Sequence, residues 1–162
     1  MKMSKFIALS ILLLLLLFFG IGEAQSQSKK RVLVLTDIED DPDDSQSLIR
    51  FLTYSNQWDV EGLIATTSIH QKIRVAPETI HEILGAYNKV WVNLMKHEKG
   101  YPTYQELSLK VKKGLPVYGM EGVGKGHDSE GSDWIIKVLE KPDSRPLWIC
   151  AWGGTNCLAQ AL

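Results

Sequence analysis

The chain has 162 residues, with 18 basic side chains against 19 acidic ones and a net charge of −1. That balance excludes a binding mode carried by electrostatic attraction to a nucleic-acid polymer or to an anionic membrane surface. The length bounds the chain to one domain of ordinary size, and two cysteines are too few for a disulfide scaffold.

At the amino end Lys2 and Lys5 precede an almost unbroken apolar run from Phe6 to Ile21, and Gly22 and Ala24 place small residues before a cleavage point. The pattern predicts a signal peptide over residues 1–24, a polar linker over 25–30 and a secreted or periplasmic protein. The apolar run is shorter than the roughly 20 residues that span a bilayer, so no stable membrane anchor is expected. An uncleaved anchor is the alternative.

Arg31 is followed by Val32-Leu33-Val34-Leu35, a continuous apolar run that reads as a buried parallel strand over 31–36. Next comes Thr36-Asp37-Ile38-Glu39-Asp40-Asp41-Pro42-Asp43-Asp44, which crowds six carboxylates into eight positions. An amphipathic helix follows, with Leu48, Phe51 and Leu52 inward, Asp43 or Asp44 as its cap and Asn56-Gln57 as its end. Val60 to Thr66 reads as a second strand whose Thr66-Thr67-Ser68 end lies beside the acidic loop. Pro77 opens a helix through about Asn88, with Ile80, Ile83, Leu84 and Tyr87 on one face. His70 belongs to this neighbourhood, and His81 falls off the apolar face. Trp91 to Leu94 fits either a continuation of that helix or a short strand.

Thr103 to Lys113 reads as a helix ended by Gly114, and the polar, glycine-rich Gly119 to Gly131 as a loop. Ser132-Asp133 is the expected cap of a helix through Glu140. Pro142 to Pro146 is a turn, Leu147 to Ala151 a buried strand, and Gly153-Gly154-Thr155-Asn156 a turn into a last helix. Alternating strands and helices imply an α/β fold with a doubly wound, mostly parallel sheet over residues 31–162. The apolar ending at Leu162, with neither cap nor polar tail, reads as a domain cut partway. Cys150 in a strand and Cys157 in a helix are expected as two buried thiols rather than a bridge.

A strand that delivers acids to a loop ahead of a helix is where open α/β sheets place ligands. Six carboxylates this close raise one another's pKa unless a cation sits among them, and Ca²⁺ or Mg²⁺ takes oxygen ligands. One or two acids would suffice to favour a helix amino terminus. An EF-hand is ruled out because Pro42 stands where that loop needs glycine. A phosphotransferase with a strand-end aspartate nucleophile would need Asp-x-Asp followed by Thr or Val. Gly119 to Lys125 matches the first seven positions of a phosphate-binding P-loop, but Gly126 replaces the Ser or Thr and no clear strand precedes it. His97 and His127 have no zinc-site spacing.

The order strand, Asp-x-acid-x-x-x-Asp-Asp, helix resembles the amino-terminal signature of the nucleoside hydrolases, which cleave N-glycosidic bonds with bound Ca²⁺. Through Thr36-Asp37-Ile38, Asp41 to Asp44, Ser47 to Arg50 and Gly62 to Ser68 it is similar to the nucleoside-hydrolase-like domain of a secreted bacterial cellulose-binding family. Gapless matching of the closing acid pair implies Asp44 as a calcium ligand and Asp43 as a sugar contact. It puts Glu39 at the family's catalytic aspartate, one methylene longer, with Asp37 at the strand end as the other candidate base and a further metal ligand. Leu147 to Asn156 resembles the family's later strand ending in Gly-Gly-x-Thr-Asn, one residue short. That match implies the Trp152 carbonyl as a calcium ligand and Asn156 near the substrate, with Trp152 also able to stack on a sugar or base. His127 and Asp128 fall in the region that reaches substrate in the family. The family's remaining calcium aspartate and its histidine lie beyond the matched stretch, so this chain is expected to bind calcium weakly and to catalyse poorly.

The resulting expectation is a hydrolase of N-glycosyl or related bonds acting on a small glycoside or carbohydrate through a calcium-activated water. The alternative is a carbohydrate- or cellulose-binding domain that keeps the fold without the chemistry.

Overall fold

A computed structural model describes residues 28–162 of the protein. The signal peptide expected over residues 1–24 lies outside the described residues, as does the start of the linker. Among the described residues no helix is long and apolar enough to cross a membrane.

The elements in chain order are β1 (Lys30–Thr36), α1 (Pro42–Thr53), β2 (Trp58–Ala65), α2 (Pro77–His97), α3 (Tyr104–Ser108), β3 (Val111–Lys113), α4 (Glu130–Leu139), β4 (Leu147–Ala151) and α5 (Asn156–Ala161). The described strands form one parallel sheet in the order β3-β2-β1-β4. Strand pleating sends alternate residues of β1 to opposite faces. Val32 and Val34 pack with Leu48, Leu52, Ile80, Leu84 and Leu107 from α1, α2 and α3. Leu33 and Leu35 pack with Ile135 and Cys157 from α4 and α5. Helices on both faces make the sheet doubly wound, as the sequence implied.

The register between β1 and β2 skips Glu61, since Val32 pairs with Val60 and Leu33 with Gly62. This bulge frees Glu61 for the buried Arg31, 3% exposed, whose Nε donates to Glu61 Oε1 at 2.7 Å. The indole of Trp134 donates to the Glu61 carbonyl at 2.8 Å, and Arg31 Nη2 donates to the Val138 carbonyl at 2.8 Å. Burial alone would raise the Glu61 pKa, but hydrogen bonds from Lys141 and Arg31 outweigh it and hold the carboxyl below its ordinary value.

Four local expectations are corrected. The cap of α1 is Asp41 rather than Asp43 or Asp44, because Pro42 takes the first helical position, where its missing N–H costs nothing. The helix expected through Lys113 stops at Ser108; residues 111–113 become β3 by pairing with Leu63 to Ala65. The cap of α4 is Ser129 rather than Ser132, with Ser129 Oγ accepting from the Ser132 N–H at 3.1 Å. Helix α1 ends at Thr53, and a short 3₁₀ turn over Ser55–Gln57 leads into β2. Trp91 to Leu94 continue α2, which runs to His97. The two thiols are unbridged, with Cys150 against the α1 and α2 face and Cys157 against the other.

Strand β4 pairs with β1 on one side only among the described residues, and Trp148 on it is 56% exposed beneath the Lys30 ammonium.

Candidate functional site

Three chain segments converge at the carboxyl end of β1. The first is the acidic loop. Asp37 follows the last residue of β1 and is 6% exposed. The Asp40 N–H donates to the Asp37 carbonyl at 3.0 Å, which folds the chain back within four residues. Asp44 Oδ2 then accepts from the Asp41 N–H at 3.2 Å, tying the first turn of α1 to the loop.

The second segment follows β2. Ser68 Oγ donates to Asp40 Oδ2 at 3.3 Å and accepts from the His70 and Gln71 N–H groups at 3.1 Å. The Gln71 amide donates to the carbonyls of Asp37 and Ile38, each at 3.2 Å. The expectation that Thr66-Thr67-Ser68 lies beside the acids therefore holds.

The third segment follows β4. The N–H groups of Trp152 and Gly153 both donate to the Leu35 carbonyl, at 2.8 and 3.2 Å. A Cβ on Gly153 would stand 2.7 Å from Asp37 Oδ1 and 2.6 Å from its N. One on Gly154 would stand 2.3 Å from the Thr67 carbonyl. The two glycines are there because this backbone lies against the other two segments.

Together with Tyr118 these segments line an open cavity of about 440 Å³ bordered by Asp37, Asp40, Asp41, Asp43, Asp44, Trp152 and the two glycines. Burial raises the pKa of Asp37, and the charge of Asp40 adds to the rise. Burial likewise raises Asp44, reinforced by the charges of Asp37, Asp43 and Asp40. Among the described residues none of the five aspartates pairs with a basic side chain. Such a donor set suits a hard, oxygen-seeking cation. No three His, Cys, Asp or Glu side chains among the described residues stand in an arrangement that holds a metal ion. The carboxylates share one cavity, but among the described residues their side chains do not converge on one point.

Of the residues singled out in sequence, Asp37, Asp43, Asp44 and Trp152 meet in this cavity. Glu39 does not. It sits at φ +81° and its carboxylate is held by the Arg74 guanidinium and the Thr79 hydroxyl. Asn156 is buried beneath the site, where its Nδ2 donates to the Val117 carbonyl at 3.0 Å and its Oδ1 accepts from Thr67 Oγ1 at 3.4 Å. His127 lines no part of the cavity. Its loop is pinned to α5 by Gln160, which accepts from the Gly124 N–H and donates to Asp128 Oδ1. Gln71 and Tyr118 also belong to the site and were not anticipated, since only the fold brings them to the acids.

Trp152 also walls a second, apolar groove of about 510 Å³ with Phe51, Tyr54 and Trp58. Phe51 meets the Trp152 ring edge-on at 5.7 Å between centroids.

A family model described as "Cellulose-binding Sde182, nucleoside hydrolase-like domain" matches residues 31–162. A solved structure of a nucleoside hydrolase-related hypothetical protein from Saccharophagus degradans that is associated with carbohydrate metabolism superposes with a TM-score of 0.80 at 43% identity. The match covers 83% of this chain and 33% of that one, so the chain spans about a third of that relative's length. None of the curated proteins matches the chain.

Proposed function

We propose, for a chain that belongs to the cellulose-binding Sde182 nucleoside hydrolase-like family, that the acid cavity at the carboxyl end of the sheet binds a carbohydrate. The observation that carries the reading is that five aspartates, none paired with a basic side chain among the described residues, line one open cavity together with Trp152 and Tyr118. Carboxylates only accept hydrogen bonds and sugar hydroxyls donate them, while an indole or phenol ring packs on the apolar C–H face of a pyranose. Asp37, Asp44 and the carbonyl of Trp152 are the residues that would hold Ca²⁺, which would offset the negative charge and take vicinal hydroxyls as ligands. The cleavable segment expected over residues 1–24 would deliver the protein outside the cytoplasm, where polymeric sugars are met.

A second reading is hydrolysis of an N-glycosyl or related bond, and the placement of Asp37 favours it. A carboxylate fixed at a strand end with a raised pKa is suited to take a proton from an attacking water. Asp37 would serve as the base, while Asp43 and Asp44 orient the sugar.

Isothermal titration with cellotetraose, with and without calcium, tests the binding reading. Binding that Asp44→Asn weakens supports it, and no heat under either condition would overturn it. Release of p-nitrophenol from its β-riboside, lost in Asp37→Asn, decides for hydrolysis.

A further inference from the structure

Sequence matching assigns Glu39 to the chemistry of the acid loop, and the structure turns it away. The hydrogen bond from the Asp40 N–H to the Asp37 carbonyl closes a four-residue turn whose third residue is Glu39 at φ +81°. A turn of this class needs positive φ at that position and ordinarily uses glycine or asparagine there. Among the described residues Glu39 is the only one other than glycine with positive φ. A side chain that crowds its own backbone persists where surrounding contacts hold it.

The Glu39 carboxylate pairs with Arg74 and accepts from the Thr79 hydroxyl, one on each side of the start of α2. From the same stretch of chain, Gln71 grips the carbonyls of Asp37 and Ile38. The turn is thus stitched to the segment between β2 and α2 through its main chain and through Glu39. The aspartates on either side of Glu39 face the cavity while Glu39 faces outward.

We propose that Glu39 is a positioning residue: its carboxylate, anchored by Arg74 and Thr79, fixes the turn that presents Asp37 and Asp40 to the cavity. The inference rests on the reading of that cavity as the binding site. It implies that glycine at position 39 relieves the backbone and loosens the acids at the same time, so stability and ligand affinity move apart. A catalytic carboxylate or metal ligand would respond differently, failing as badly when replaced by glutamine as by glycine.

The test titrates the protein with terbium, a hard cation probe for oxygen donors, reading luminescence sensitised by nearby tryptophan, and follows amide exchange at Asp40. Glu39→Gly should melt no lower than the parent, bind terbium at least about tenfold more weakly and exchange the Asp40 amide faster. Glu39→Gln keeps an acceptor for the anchor and should stay within about threefold of the parent. Arg74→Ala should follow the glycine variant in affinity. Parent-like terbium binding and Asp40 exchange in Glu39→Gly would overturn the proposal, as would a glutamine variant as impaired as glycine. A parent that binds no terbium counts against the cation site proposed for the cavity. Asp40 exchange needs no ligand and still decides whether Glu39 holds the turn.

Discussion

Replacing Gly153 by alanine tests the close approach on which the whole cavity depends. The added methyl would lie 2.6 Å from the Asp37 N, 2.7 Å from Oδ1 and 2.8 Å from Cβ, so no rotation of the Asp37 side chain clears all three. Asp37 cannot retreat easily, because β1 is paired on both sides, to β2 and to β4. Forcing a methyl into such a packed position costs about 1–3 kcal/mol. For a domain of this size that lowers the melting temperature by about 3–15 °C. Because the methyl meets the carboxylate itself, binding at the cavity should fall at least about tenfold, more than a general loss of stability explains. The same substitution at Gly85 supplies the control. Gly85 lies within α2 with nothing inside 4 Å of a built Cβ, so alanine there should stabilise by about 0.5–1 kcal/mol. Urea denaturation followed by circular dichroism, beside calorimetric titration, reads both variants. A Gly153→Ala protein as stable as the parent, with unchanged binding, would refute the packing argument.

Four further outcomes are expected. Arg31→Met leaves Glu61 buried with only the half-exposed Lys141 as partner and should cost about 3–5 kcal/mol in urea denaturation at neutral pH; a loss under about 1 kcal/mol would show that the cluster is dispensable. Glu61 and Asp143 both have folded pKa values held below the ordinary carboxylate range, Asp143 by its hydrogen bonds to Arg145. Their stabilisation is therefore present above that range and should be lost as pH falls through and below it, which a pH series of melting curves detects. Asp37 and Asp44 are shifted the other way, so protons should compete with a cation at higher pH than for exposed aspartates; terbium affinity that held constant down to the ordinary range would contradict this. Mild oxidation should form no intramolecular bridge between Cys150 and Cys157, which face opposite sides of the sheet, and intact mass under non-reducing conditions checks it.

The parallel architecture was legible because its signals are local. Continuous apolar runs gave β1, β2 and β4, and helical spacing gave α1 and α2. Strand β3 was not legible. Val111-Lys112-Lys113 has no periodicity of its own, and its conformation comes from pairing with β2 at the sheet edge, where lysines are common. The acid cluster announced the site, and the two glycines after β4 located its opposite wall. Which acids face inward was not written in the spacing, because a single left-handed residue at position 39 reverses the chain there. Gln71 and Tyr118 carry no motif. They reach the acid cavity only because parallel strands end together on one side of the sheet.

The outer edge of β4 is an unpaired sheet edge among the described residues. Its backbone donors and acceptors on that side meet no neighbouring strand among the described residues, and the Lys30 ammonium over Trp148 is the only cation–π cover on it. Barriers against templated strand addition are usually built from charge, proline or a bulge along the edge itself, and Leu147-Trp148-Ile149-Cys150-Ala151 supplies none of them. A polypeptide lying alongside that edge would find backbone donors and acceptors with which to extend the ladder.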